Sequence, residues 1–162
     1  MTTLNTILAS LLFVFLNIFT SSAQADVSPF VAGSYQQILA NNANQPFVLV
    51  IWSVNCSSCL KEMAWLNQLH KDKPDLKIIL LAADEASEAE QIQHRLAKNQ
   101  LSGVENWAYA DENVQRLQFE IDPHWYGELP RTYFFNKAHQ RTGVSGALSA
   151  EDYEAKLGNM VK

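Results

Sequence analysis

The sequence predicts a mixed α/β sheet flanked by helices, and three features carry that reading. Phe47-Val48-Leu49-Val50-Ile51-Trp52 and Leu76-Lys77-Ile78-Ile79-Leu80-Leu81-Ala82 are apolar runs of strand length. Runs of this kind suit strands buried on both faces. Between and after them, apolar residues recur at three- and four-residue spacing, the stripe of a helix packed on one side. The last two strand patterns are joined by only a few residues, too few for a parallel crossover, so they form a hairpin and the sheet is mixed.

Taken in order, Ser34-Tyr35-Gln36-Gln37 has the form of a capping box and opens a short helix carrying Ile38 and Leu39. The stretch Asn41-Asn42-Ala43-Asn44-Gln45-Pro46 stops it. The run 47–52 is the first strand and a central one. From Cys56 to Lys71 the pattern is helical, with Cys59, Met63, Leu66 and Leu69 or His70 on one stripe. Pro74 ends that helix, and 76–82 is the second buried strand. Ser87-Glu88-Ala89-Glu90 is another capping box, followed by a helix with Ile92 and Leu96 on its apolar side. Trp107 to Ala110 is a short strand, and Val114 and Leu117 mark a brief helix. Arg131 to Phe135 and Arg141 to Val144 form the hairpin. Ser149 caps a last helix whose buried side carries Tyr153, Leu157 and Met160 or Val161.

The chain has 162 residues, 48% apolar and 18% charged, the balance of one globular domain. Lys and Arg number 12 against 17 Asp and Glu, for a net charge of −5. An acidic chain without a cationic cluster is poorly suited to nucleic acid, whose binding needs grouped positive charges. No Gly-rich phosphate loop, serine nucleophile elbow or His-Glu-x-x-His motif occurs, which leaves nucleotide and hydrolase chemistry without support. The four histidines, His70, His94, His124 and His139, are scattered.

The N-terminus differs from the rest. Ile7 to Phe19 is almost wholly apolar, no charged residue precedes Asp26, and Ser22-Ala23-Gln24-Ala25 ends in Ala-x-Ala. Residues 1–25 are therefore expected to be a signal peptide cleaved after Ala25, with residues 26–162 the folded domain. An exported chain works where disulfides persist, which places it in the periplasm.

Both cysteines lie in Trp52-Ser53-Val54-Asn55-Cys56-Ser57-Ser58-Cys59, between a buried strand and the helix it leads into. The free N–H groups and dipole of a helix N-terminus favour thiolate over thiol, so Cys56 should be the activated thiol. One turn on, Cys59 can meet it and close a small ring, as the buried resolving thiol. A purely structural disulfide across so short a span would add little stability. A zinc site would need two further ligands, and no second Cys-x-x-Cys or paired histidine supplies them. Thiol–disulfide exchange is the chemistry this pair and position favour.

With Trp52 four residues before Cys56, and with Leu129-Pro130-Arg131-Thr132-Tyr133-Phe134-Phe135 downstream, the sequence resembles the thioredoxin superfamily. Within it the chain is most similar to TlpA/ResA/CcmG-like exported thiol–disulfide oxidoreductases. The run Cys59-Leu60-Lys61-Glu62-Met63, the helix and strand of 87–110 and the stretch Gly127 to Tyr133 carry that likeness. The resemblance implies a thioredoxin-like mixed sheet with a central helix–strand insertion, covering roughly residues 34–160. It implies a cis bond before Pro130, which with Leu129 frames an extended substrate, and a Glu62 that tunes the cysteines by charge and proton donation. Trp52 would support the site, and Trp125 and Tyr126 are expected as exposed aromatic substrate contacts. Departures are Ala64 in place of a helix-kinking proline, Asn55 in place of Trp, Val50 in place of a buried Asp, and the Ser57-Ser58 spacer, which suggests no redox direction.

The expected function is disulfide exchange with exported protein thiols and disulfides, with no cofactor or metal beyond the Cys56–Cys59 pair. The resembled relatives suggest a reductant, for instance in cytochrome c maturation, supplied with electrons by a membrane redox partner. A soluble monomer is expected. The alternatives are a copper chaperone using both cysteines with His124 or His139 as a further ligand, and an oxidase or isomerase on the same fold.

Overall fold

The computed structural model describes residues 25–160. The predicted leader, residues 1–25, lies outside them apart from Ala25. Six strands form one sheet in the order β1-β4-β3-β2-β5-β6. The strands are β1 (Val27–Phe30), β2 (Phe47–Trp52), β3 (Lys77–Ala82), β4 (Glu105–Tyr109), β5 (Arg131–Phe135) and β6 (Arg141–Ser145). The first four run parallel to one another, while β5 is antiparallel to β2 and β6 to β5. The expected mixed sheet and terminal hairpin are thus present.

The burial of β2 explains its sequence. All six of its residues are buried. Val48, Val50 and Trp52 join one core layer, and Phe47, Leu49 and Ile51 join the other. Each such side chain contributes about 2 kcal/mol when removed from water. On the first face lie α2 (Ser57–Asp72), α3 (Ala89–Lys98) and α5 (Ala150–Met160); on the second lie α1 (Ser34–Asn41) and α4 (Val114–Ile121). In α2 the apolar stripe Cys59, Met63, Leu66 and Leu69 is buried as its spacing requires, while His70 is only half-buried. Helix α2 runs unbroken past Ala64.

Two local expectations are corrected, and one strand was not expected. Ser34 does not cap α1. Its hydroxyl accepts from Val31 N–H, and the N-cap is Gly33 at φ 88°, a left-handed backbone that glycine adopts without a Cβ clash. Ser87 lies in a 3-10 turn (Ala86–Glu88) that precedes α3, with no side-chain cap. Strand β1 has no counterpart in the sequence reading, because it is four residues long, carries Pro29 and buries only Phe30. Proline is tolerated there because the strand lies on the sheet edge. By contrast Ser149 caps α5 as expected, with Asp152 bonding back to Ser149 N–H.

Candidate active site

Strands β2 and β3 end side by side, with Trp52 paired to Ala82. The ladder continues one step further, since Ala83 N–H donates to Trp52 carbonyl at 2.8 Å. The chain then turns through 53–55 into Cys56, the N-cap of α2. A site at the carboxyl ends of parallel strands has helix N-termini and loops converging on it.

Cys56 and Cys59 form a disulfide with Cα atoms 5.2 Å apart. Cys56 is partly exposed and Cys59 is 1% exposed. Cys56 Sγ accepts the Cys59 backbone N–H at 3.1 Å and lies 3.3 Å from the Ser58 hydroxyl. Both donors, with the helix dipole, favour negative charge on this sulfur once the bond is reduced. Exposure and donors therefore give the two sulfurs different capacities: Cys56 can be reached and ionised, and Cys59 can attack only from within. Ser58 is a polar partner that the spacer composition left unassigned.

Ile51 pairs with Arg131, so Pro130 enters β5 beside the end of β2. The Leu129–Pro130 bond is cis, as expected. Pro130 is buried and Leu129 half-buried, packed against the core on both faces of the sheet. The loop leading to it is held by Asp122. The carboxylate accepts from Arg131 Nη2 at 3.1 Å, Tyr133 hydroxyl at 3.0 Å and His124 N–H at 3.1 Å, and pairs with Arg141 Nη2 at 3.4 Å. Burial alone would raise its pKa, but the His124 N–H, the Tyr133 hydroxyl and the two arginines outweigh it and hold the carboxyl below its ordinary value.

Glu62 is 4% exposed, so it is not a solvated helix residue paired with a neighbouring lysine. Its Oε1 accepts from Tyr153 hydroxyl at 2.8 Å and Leu148 N–H at 3.3 Å, while Oε2 is buried without a hydrogen-bond partner. Burial raises its pKa, and the Tyr153 and Leu148 donors offset that only in part. Tyr153 stacks on Trp65 at 4.7 Å between centroids and has Thr132 hydroxyl 3.5 Å from its own. Burial, then the Glu62 charge, push the Tyr153 hydroxyl well above its ordinary pKa. Glu62 lies one turn beyond Cys59 on the same helix.

One aromatic expectation changes. Trp125 is 5% exposed, with its indole N–H donating to Glu128 carbonyl at 3.0 Å, so it pins the loop from inside; the outward aromatic is Tyr126, 87% exposed. Trp52 is 2% exposed and packs in the core beneath the cysteines, a support rather than a contact surface. The histidines do not converge on the cysteines. His139 sits in the β5–β6 turn against Phe47 and Phe135, at the opposite end of β2, with Nε2 3.0 Å from Asn42 carbonyl. His124 points to solvent, its ring 90% exposed and 3.8 Å from Asp122. Among the described residues no group of three or more His, Cys, Asp or Glu is arranged to hold a metal ion.

Sequence reasoning missed Asp84, a buried carboxylate immediately past β3. Its Oδ1 accepts from Ser53 hydroxyl at 2.7 Å and its Oδ2 from Val54 N–H at 3.0 Å. The available signal was a charged residue directly after a buried strand at the carboxyl edge of the sheet.

No family model matches the chain, and no curated protein sequence matches it. Solved structures do. A secreted Mycobacterium tuberculosis disulfide oxidoreductase homologous to E. coli DsbE is similar at 20% identity, with a TM-score of 0.61 over 74% of this chain and 85% of that one. A thioredoxin-related protein from Neisseria meningitidis serogroup B is similar at 20% identity, with a TM-score of 0.58 over 71% and 84%. A thiol:disulfide interchange protein of the thioredoxin family from Chlorobium tepidum TLS is similar at 13% identity, with a TM-score of 0.61 over 75% and 83%. At these identities the likeness is one of fold, and the fold is thioredoxin-like.

Proposed function

We propose that the protein is a thiol–disulfide oxidoreductase that reduces disulfides in exported proteins. The observation that carries this reading is the asymmetric Cys56–Cys59 disulfide at the N-terminus of α2, one sulfur partly exposed and supplied with donors, the other buried. In the reduced protein, Cys56 thiolate attacks a substrate disulfide. One substrate sulfur bonds to Cys56, and the other leaves as a thiolate and takes a proton. Cys59 thiolate then attacks Cys56 Sγ, restores the Cys56–Cys59 bond and releases the second substrate thiol. Two electrons pass to the substrate, and a membrane dithiol partner returns the cysteines to the reduced state.

The reductant direction is supported by Glu62. A buried carboxyl beside the resolving cysteine disfavours a second negative charge there, which stabilises the disulfide relative to the dithiolate. In its protonated form, the same group can supply a proton to the Cys59 sulfur. Leu129, half-buried at the entry to β5, and the exposed Tyr126 offer contact for an extended substrate. Export fits the apolar N-terminal segment and its Ala-x-Ala ending. The experiment is turnover of a protein disulfide by the reduced 26–162 domain. Cys56→Ser should abolish it, whereas Cys59→Ser should accumulate a mixed disulfide through Cys56. Equal activity in wild type and Cys56→Ser would refute the reading.

A further inference from the structure

The turn that delivers Cys56 to α2 is only three residues long, and its polar backbone cannot rely on the sheet ladder. Asp84, from the neighbouring strand end, meets that need. Its two oxygens take Ser53 hydroxyl at 2.7 Å and Val54 N–H at 3.0 Å. Ser53 passes the constraint on: its hydroxyl accepts Asn55 N–H at 3.2 Å and its carbonyl accepts Cys56 N–H at 3.1 Å. One carboxylate thus fixes every residue from Ser53 to Cys56, directly or through one relay. Asp84 is 8% exposed, and among the described residues it has no Lys or Arg counter-ion within salt-bridge distance. Such a group is costly to bury, and a neutral side chain would suffice if only shape were needed.

We infer that Asp84 is a positioning residue for disulfide exchange: through Ser53 it sets the placement of the Cys56 sulfur, and its uncompensated charge biases the cysteine pair toward the disulfide. The inference rests on the exchange activity proposed above. Two effects run together in it and can be separated. The geometric effect passes through Ser53, which has no charge. The electrostatic effect needs the charge of Asp84, whose carboxylate accepts the N–H of Val54, two residues before Cys56 in the chain. It adds to that of Glu62, which opposes charge from the α2 side of the pair.

The test uses the protein in its reduced and oxidised states. The Cys56–Cys59 equilibrium is measured in dithiothreitol and in glutathione buffers, the Cys56 thiol is titrated by thiolate absorbance, and exchange with oxidised glutathione is followed by stopped flow. In Asp84→Asn the Cys56 titration should move down by roughly one pH unit, as loss of a neighbouring negative charge in a partly buried setting implies. The equilibrium should shift about tenfold toward the dithiol, roughly 30 mV for a two-electron couple. Ser53→Ala, with the charge retained, should slow exchange severalfold at an unshifted titration. A role confined to stability would lower the melting temperature and leave titration and equilibrium in place. That result in a folded Asp84→Asn overturns the inference. If Asp84→Asn does not fold, Ser53→Ala decides: slower exchange supports the positioning role, and wild-type exchange overturns it. A wild-type domain that exchanges no disulfide refutes the proposed function itself, which is a different outcome from an active wild type indistinguishable from both variants.

Discussion

Replacing Asp122 with alanine tests the loop support beside the active site. The Asp122 side chain is 11% exposed and faces Arg131 and Arg141 side chains that are 16% and 27% exposed. Removing the carboxylate leaves two largely desolvated guanidinium groups and the Tyr133 hydroxyl without their common acceptor. Breaking a buried pair costs about 3–5 kcal/mol. Arg141 also donates to Tyr35 hydroxyl at 2.9 Å and to Ile121 carbonyl, so part of its demand stays met and the low end, about 3 kcal/mol, applies. For a domain of this size that is a melting-point drop of about 9 °C. The pH dependence has a definite sign. The folded-state pKa of Asp122 lies below its unfolded value. Its contribution is therefore present above the unfolded carboxylate range and is lost as pH falls through the folded value. Urea unfolding followed by circular dichroism at pH 7 and in strong acid measures both quantities. The difference between wild type and Asp122→Ala should be large at pH 7 and shrink in acid. A difference below about 1 kcal/mol at pH 7, or one that does not change with pH, would refute the reasoning.

Glu62 should behave in the opposite sense. Its folded pKa is raised by burial, so its contribution is full below the unfolded pKa and declines as pH rises through the folded value. Glu62→Gln should therefore be more stable than wild type at neutral pH, with the advantage vanishing in acid; thermal melts across pH check this. Tyr153→Phe removes the 2.8 Å donor to Glu62 and should cost about 2 kcal/mol at pH 7, the scale of a hydrogen bond to a charged group, as read by chemical denaturation. Gly143→Ala should destabilise by about 1–3 kcal/mol, because an added Cβ would collide with Arg131 Nη2 and lie 2.8 Å from the Tyr133 ring; an unchanged melting temperature would show that Arg131 yields freely.

The legible parts of the fold share a physical cause. Strands β2 and β3 are buried on both faces, so their apolar runs are continuous and hard to mistake. Helix α2 packs one stripe against the sheet, and its period shows that directly. The edge strand β1 buries one residue fully and so leaves almost no pattern. The capping-box motif at Ser34 failed because Gly33 supplied a left-handed turn that freed the hydroxyl for Val31, whereas at Ser149 nothing competes with Asp152. The cysteine pair and Pro130 were legible as local motifs. Their polar supports were not: Asp84 meets Ser53 across 31 residues and Tyr153 meets Glu62 across 91. Periodicity shows which faces are buried but not which buried polar groups meet. Trp125 was placed outside for a similar reason, since its indole N–H found Glu128 carbonyl and the ring turned inward.

The reduction potential of the Cys56–Cys59 pair tests the proposed reductant most directly. Equilibration of the protein in glutathione and dithiothreitol buffers, with the dithiol fraction read after thiol alkylation, gives the value. The buried carboxyls beside the pair predict a potential near or below about −220 mV, where the dithiol gives electrons readily. A value near about −120 mV, that of a strong oxidant, would contradict it.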